Sequence, residues 1–181
     1  YLRIDGPADA VKTVIDFVKS SENKFDFNKI VPMPDDIYQG SVGSAERAIY
    51  GENNWYDWSC KNWGTKWNAY ETYLEYIDEC TAIITFQTAW SGVPAIVEEL
   101  TALYPALTFE YAYADEDMGY NCGKGWGEDG DFSFRLLDGG SDEAMETYIL
   151  CWNEDEDNFY KDDNGVWHNR MWDDDDDGDS L

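Results

Sequence analysis

Four tryptophans, Trp55, Trp58, Trp63 and Trp67, crowd one short stretch of the chain, WYDWSCKNWGTKWNA. Lys61, Gly64 and Lys66 lie among them in an otherwise strongly acidic sequence. Each indole buries a large apolar area yet keeps an N–H that needs an acceptor. Indoles this close together do one of two things. They anchor a loop over a hydrophobic core, or they present an aromatic platform to a sugar, a base or a cation. Asp57, Ser59, Asn62 and Asn68 interrupt the run, so it neither alternates like a strand nor holds a helical period. A folded loop is expected, turning at 62–64. Packing over a core is its plainer role.

The other candidate groups are thin. His168 is the single histidine, so no multi-histidine metal site can form. A catalytic triad would need a nucleophile beside it that the sequence does not supply. In its acidic loop it reads as a solvated side chain near carboxylates. Gly123, Gly125, Gly127 and Gly130 form a glycine-rich stretch, but without the Lys-Ser/Thr of a phosphate loop and among acids. A flexible hairpin is expected there. Asp173, Asp175, Asp177 and Gly178 resemble the opening of a calcium loop, yet the chain stops before the twelfth-position glutamate such a loop requires. Weak cation binding by the tail is the most this predicts. Cys60, Cys80, Cys122 and Cys151 have no metal-ligand or redox spacing, and four reduced, mostly buried thiols are expected. Nothing assembles a nucleophile with a base, so no catalytic residue, metal or cofactor is assigned and the chain reads as a non-enzyme.

Charge carries more information. The chain has 39 Asp and Glu against 12 Lys and Arg, a net −27, of which −10 falls in residues 154–181 and −17 in the rest. The body is therefore acidic in its own right. Such a charge repels nucleic acid and anionic membranes and attracts basic partners, including the grooves with which other proteins grip DNA. Carboxylates fixed on a rigid scaffold would imitate phosphate in such a groove. The candidate contacts are Glu128, Asp129, Asp155, Glu156, Asp157, Asp162, Asp163, Asp173, Asp174, Asp175, Asp176 and Asp177. The expected partner is a basic host protein, itself nucleic-acid-binding, with no direct contact to nucleic acid or membrane. The alternative is a small-ligand or glycan-binding module using Trp55, Trp58, Trp63 and Trp67. A charge that only keeps a soluble domain dispersed is the bland account. No apolar run is long enough to span a membrane and no signal-peptide pattern opens the chain, so a cytoplasmic location is expected.

The elements that must position these groups follow from periodicity. Leu2 and Ile4 alternate with polar neighbours in a short strand. Pro7 suits a first helical position, and Val11, Val14, Ile15 and Val18 give an amphipathic helix. Phe25, Phe27 and Ile30 run into Pro32 and Pro34, which predicts an extended edge segment. Residues 67–76 and the strand of Ala82, Ile84 and Phe86 form a hairpin. Pro94 opens a second helix with Ile96, Val97, Leu100 and Leu103 inward, and Pro105 stops it. Thr108 to Ala114 is a strand with Phe109, Tyr111 and Tyr113 on one face. A further hairpin turns at 128–130, and Met145, Tyr148, Ile149 and Trp152 mark a third helix. That order is β-α-β-β-α-β, an α+β ferredoxin-like antiparallel sheet with a C-terminal extension of hairpin, helix and acidic tail. One domain is expected over 1–153, with an insertion at 35–66 and the added hairpin and helix at 116–153. Residues 154–181 form an acidic extension whose last residues are expected to be mobile.

WYDW followed by WGTKWNA, preceded by FDFNKIVPMP at residues 25–34, resembles the YubB ferredoxin-like family, a domain of unknown function in phage, prophage and plasmid proteins. The likeness covers residues 1–115. It implies a ferredoxin-like fold and a mobile-element origin, and carries over no catalytic residue. Relatives begin a few residues earlier with a short Asn-Trp-Cys lead, so a trimmed start is expected here. The long acidic tail goes beyond the usual pattern.

Overall fold

The apolar alternation of LRID pairs its first strand on both sides. In the computed structural model, which describes residues 1–173, β1 (Leu2–Asp5) lies between two antiparallel neighbours. Leu2 and Ile4 point to one face and are fully buried. The chain then forms α1 (Ala8–Val18), with Val11, Val14, Ile15 and Val18 buried as the spacing predicts. Pro7 is the N-cap rather than the first helical residue, and its carbonyl accepts from the amides of Ala10 and Val11.

The next stretch departs from the sequence reading. Residues 27–30 are helical rather than extended. Asp26 caps a one-turn helix, α2 (Phe27–Ile30), with its carboxylate accepting from Asn28 N at 3.0 Å. The two phenylalanines pack edge to face inside the core at 5.5 Å. Beyond them lie α3 (Ser44–Tyr50), which buries no residue, and α4 (Trp55–Asn62). The expected loop over 55–67 is therefore largely a helix. Asn54 caps it, accepting from Asp57 N at 3.0 Å, and Trp55, Trp58 and Ser59 fall at i, i+3 and i+4 on one side. Trp63 and Trp67 lie past its end and hide the period.

The remaining elements are β2 (Tyr70–Tyr76), β3 (Thr81–Gln87), α5 (Pro94–Leu103), β4 (Thr108–Ala114), β5 (Cys122–Glu128), β6 (Asp131–Leu136) and α6 (Asp142–Trp152). A 3-10 turn at Glu156–Asn158, a small hairpin of β7 (Phe159–Lys161) and β8 (Trp167–Asn169), and α7 (Arg170–Asp173) follow. The main sheet has the order β2-β3-β1-β4-β5-β6, every pairing antiparallel. Its first four strands with α1 and α5 are the ferredoxin-like unit, and β5 and β6 extend it. In α5 the buried stripe is Ile96, Val97, Leu100 and Thr101. Leu103, expected inside, is half-exposed in the last turn.

The glycine-rich stretch is the first strand, β5, of the expected hairpin with β6, and its glycines are closely packed rather than flexible. Gly123, Gly125 and Gly127 alternate onto the face that carries the main core. A Cβ at Gly125 would sit 2.4 Å from the Phe132 ring, and one at Gly127 would sit 2.4 Å from Thr101 Oγ1. The missing side chains let β6 aromatics and α5 pack directly on the backbone. Asp129 and Gly130 then turn the chain with positive φ at both positions.

Alternation sends Ala114, Cys122 and their neighbours to the opposite face, where α6 covers β4 and β5. A second cluster of Cys122, Leu137, Ala144, Met145, Tyr148 and Phe159 forms there. This helix covers only that half. The β2-β3-β1 half of the same face stays open, and this defines the groove below.

Candidate functional site

Three of the four sequence-selected tryptophans are structural anchors. Trp63 is 3% exposed and its indole N–H donates to Val31 O at 2.9 Å. Trp58 packs perpendicular to it at 5.3 Å against the core. Trp55 donates to Gly40 O at 2.9 Å. Only Trp67 presents its ring to solvent, 48% exposed. The four do not assemble into one platform.

The two long motifs fasten one another. Asn68 of WGTKWNA accepts from Phe27 N at 2.9 Å and donates to Asp26 Oδ1 at 2.7 Å. Thr65, buried, donates to Ala89 O and accepts from Ala89 N, and Ser91 Oγ donates to Gly64 O. These bonds dock residues 64–66 on the segment after β3. They bring Trp67 to Trp90, a residue that sequence reasoning missed. Lys66 Nζ lies 3.7 Å from the centre of the Trp67 ring and 3.9 Å from that of Trp90, which is 62% exposed. One ammonium is thus clamped by two indoles. Trp-Ser-Gly after a strand signals a turn and nothing more, so no local pattern marks Trp90 as half of a pair.

The clamp closes one end of a groove of about 540 Å³ over the open half of the sheet. Tyr70, Glu71 and Tyr73 of β2 form one wall, and Thr85 and Gln87 of β3 contribute to the floor. The facing wall is Asp115 and Glu116 after β4, with Cys151 and Trp152 from the end of α6. Trp152 Nε1 donates to Asp115 O at 2.9 Å, and Asn121 Nδ2 donates to Asp115 Oδ2 and to Trp90 O. Glu71, Trp90 and Asn121 all hold positive φ, at 48°, 71° and 45°. Asparagine tolerates this region; for glutamate and tryptophan it costs about 1–3 kcal/mol each. Burial pushes the Cys151 thiol above its ordinary pKa, so this groove residue is a poor nucleophile.

The acidic candidates lie elsewhere. Glu128 and Asp129 are exposed at the β5-β6 turn, with Glu128 accepting from Trp126 Nε1. Asp155, Glu156 and Asp157 are exposed on the 3-10 turn, which Asp155 caps by accepting from Asp157 N at 3.1 Å. Asp162 accepts from the amides of Asn164 and Val166, and these bonds hold its carboxyl below the usual range. Asp163 is exposed beside it. The hairpin carrying them is pinned by Phe159, buried edge-on against Tyr148 at 6.1 Å, and by Trp167. The bases of this segment are exposed but engaged by local partners. Lys161 pairs with Asp142 and covers the Trp167 ring, while Arg170 lies over Tyr160 and donates to Asp157 O. His168 stacks on Tyr160 and lies 3.5 Å from Asp162. Asp173 ends α7. Asp174, Asp175, Asp176 and Asp177, and with them the calcium-like run, lie outside the described residues.

No helix among the described residues is long and apolar enough to cross a membrane. No curated protein and no solved structure matches the chain. A family model described as the ferredoxin-like domain in Api92-like protein matches residues 63–161, more than half of the sequence. The match opens at WGTKWNA and runs through β2, the added hairpin and α6 to β7, well past residue 115. A ferredoxin-like sheet in this strand order, entered through that motif, places the chain in the family of ferredoxin-like domains found in Api92-like proteins.

Proposed function

We propose that the chain is a non-enzymatic interaction protein of a phage or other mobile element. It binds and inhibits a basic, nucleic-acid-binding defence protein in the host cytoplasm, through an acidic surface that stands in for DNA. The observation that carries this reading is the fixation of the carboxylates after Asn153. Asp155, Glu156, Asp157 and Asp163 are exposed on a capped turn and a hairpin pinned by Phe159 and Trp167, while Lys161 and Arg170, though exposed, are engaged by Asp142 and by Tyr160 and Asp157. Rigid carboxylates displace counterions from a basic groove without first being ordered, which a mobile run of acids cannot do as cheaply. The resemblance of its motifs to YubB-type domains of phage, prophage and plasmid proteins supports the mobile-element origin.

The test is capture from host lysate with the full chain, followed by competition with duplex DNA. A variant carrying Asp155→Asn, Glu156→Gln, Asp157→Asn and Asp163→Asn removes the charges and leaves an asparagine at 155 to cap the turn in place of Asp155. A captured DNA- or RNA-binding protein that duplex DNA displaces, and that the variant binds with a salt dependence flatter by about one unit of slope per contact removed, supports the reading. Capture unaffected by DNA or by the four substitutions refutes it.

A further inference from the structure

The acidic-surface reading leaves the groove on the open half of the sheet without a role. We infer that this groove binds a linear aliphatic polyamine, with an ammonium of the ligand taking the place that Lys66 holds between Trp67 and Trp90.

The chemistry of the walls selects the ligand. The clamp already contains an alkylammonium, the end of the Lys66 side chain, within 4 Å of two ring centres. Two indoles so placed favour a cation at the rings and methylenes along their faces. Away from the clamp the groove is lined by carboxylates on opposite walls, Glu71 on β2 and Asp115 with Glu116 after β4. Those walls are three strand spacings apart in the order β2-β3-β1-β4, about 14 Å at the usual spacing. An extended chain covers roughly 1.2 Å per bond, so a molecule of about eleven bonds with ammonium groups along it reaches from wall to wall. A tri- or tetra-amine built on three- and four-carbon spacers reaches about that length, and a diamine with a single such spacer does not. Beside these carboxylates, Tyr70 and Tyr73 on one wall and Trp152 on the other offer apolar surface to the methylene segments. The chain's net −27 favours a polycation and opposes an anion.

Lys66 is then the ligand's rival. Its ammonium fills the clamp in the free protein and must swing out when the ligand enters. Removing that ammonium strengthens binding, whereas a lysine that merely completed the site would weaken binding when lost.

The experiment is titration calorimetry of the full chain with spermine at roughly physiological ionic strength, where loose counterion binding is screened. The expected result is one spermine per chain, with putrescine about tenfold weaker or worse. Lys66→Met tightens binding about fivefold. Trp90→Ala and Trp67→Ala each weaken it about tenfold, the scale of one desolvated cation–π contact. Glu71→Gln weakens it several-fold and leaves the aromatic packing untouched, so it reads out the site even where a tryptophan variant folds poorly. The Asp155→Asn, Glu156→Gln, Asp157→Asn, Asp163→Asn variant binds spermine like the parent, which separates this site from the acidic surface. Several equivalents of spermine bound with no response to Trp90→Ala or Glu71→Gln, or weaker binding by Lys66→Met, overturns the proposal. So does the absence of a heat of binding.

Discussion

Replacing Gly127 with alanine tests the packing of α5 on β5 in a way that can be worked through from distances. The new Cβ would lie 2.4 Å from Thr101 Oγ1, 2.8 Å from its Cγ2 and 3.2 Å from its Cβ. Comfortable carbon contacts begin near 3.5 Å. Thr101 is fully buried, and α5 cannot retreat without opening the contacts of Ile96, Val97 and Leu100. Overpacking of this kind costs about 1–3 kcal/mol. Gly127 has extended backbone, so the stiffer unfolded chain of the alanine variant returns about 0.4–1 kcal/mol. The net expectation is a loss of about 1.5 kcal/mol, or roughly 3–6 °C in the midpoint for a domain of this size. Thr101→Ala removes the two nearest atoms; its hydroxyl only donates back to Val97 O within the helix. In that background Gly127→Ala should cost less than about 0.5 kcal/mol, a coupling of about 1 kcal/mol. Urea unfolding of the four proteins measures the cycle. A Gly127→Ala protein as stable as the parent, or strictly additive effects, would refute the steric account and restore the idea of a loose hairpin.

Three further expectations follow from named contacts. Burial pushes the Cys122 thiol up to about 11, so at pH 8 it carries about a thousandfold less thiolate than thiol. A chromogenic disulfide reagent should therefore titrate the exposed Cys60 and Cys80 quickly, and Cys122 and Cys151 only after denaturation. Because the folded pKa of Cys122 lies above its unfolded value, its contribution to stability is whole below about pH 8.5 and declines as pH rises toward 11. Phe159→Ala should release the β7-β8 hairpin while the main sheet survives, read as lost amide protection confined to residues beyond Asn153. Asn68→Ala strands the Phe27 amide and removes the tie to Asp26, at a cost of about 1–3 kcal/mol, and Asn68→Asp should restore only the acceptor half while setting two carboxylates together.

The ferredoxin-like core was legible because most of its elements bury one face, β2 at the sheet edge being the exception with no buried residue. Val11, Val14, Ile15 and Val18 carry the helical period, and Ala82 with Ile84 in β3 and Phe109 with Tyr111 in β4 carry the strand period. The α4 helix was hidden because Trp63 and Trp67 continue the aromatic run beyond it. The signal that marks it is Asn54 with Asp57 three residues on, a capping pattern rather than a hydrophobic one. The one-turn helix at Phe27 was masked by the two prolines downstream, and α5 hides Thr101 where Leu103 was expected. The groove was not legible at all. Its halves come from Trp67 and Trp90 on separate segments, joined by Thr65 and Ser91, whose roles depend on where the chain folds back. The acids were visible by count, but not which of them are held by Asp155 and Asp162 turns and by the Phe159 anchor.

The segment from Val31 to Asn54 is held at a few points and carries little of the core. Trp63 grips Val31 O, Ile37 is buried, Trp55 donates to Gly40 O, and Tyr38 and Asn54 bridge through the backbone. Between these ties α3 contributes nothing to the interior. Such a segment is modular. Its length and composition can drift between relatives, or be exchanged in the laboratory for a foreign peptide, without the sheet sensing the change. The turn before α3, around Gly43, is accordingly the position where a cloned reporter epitope or a split point should leave a folded protein.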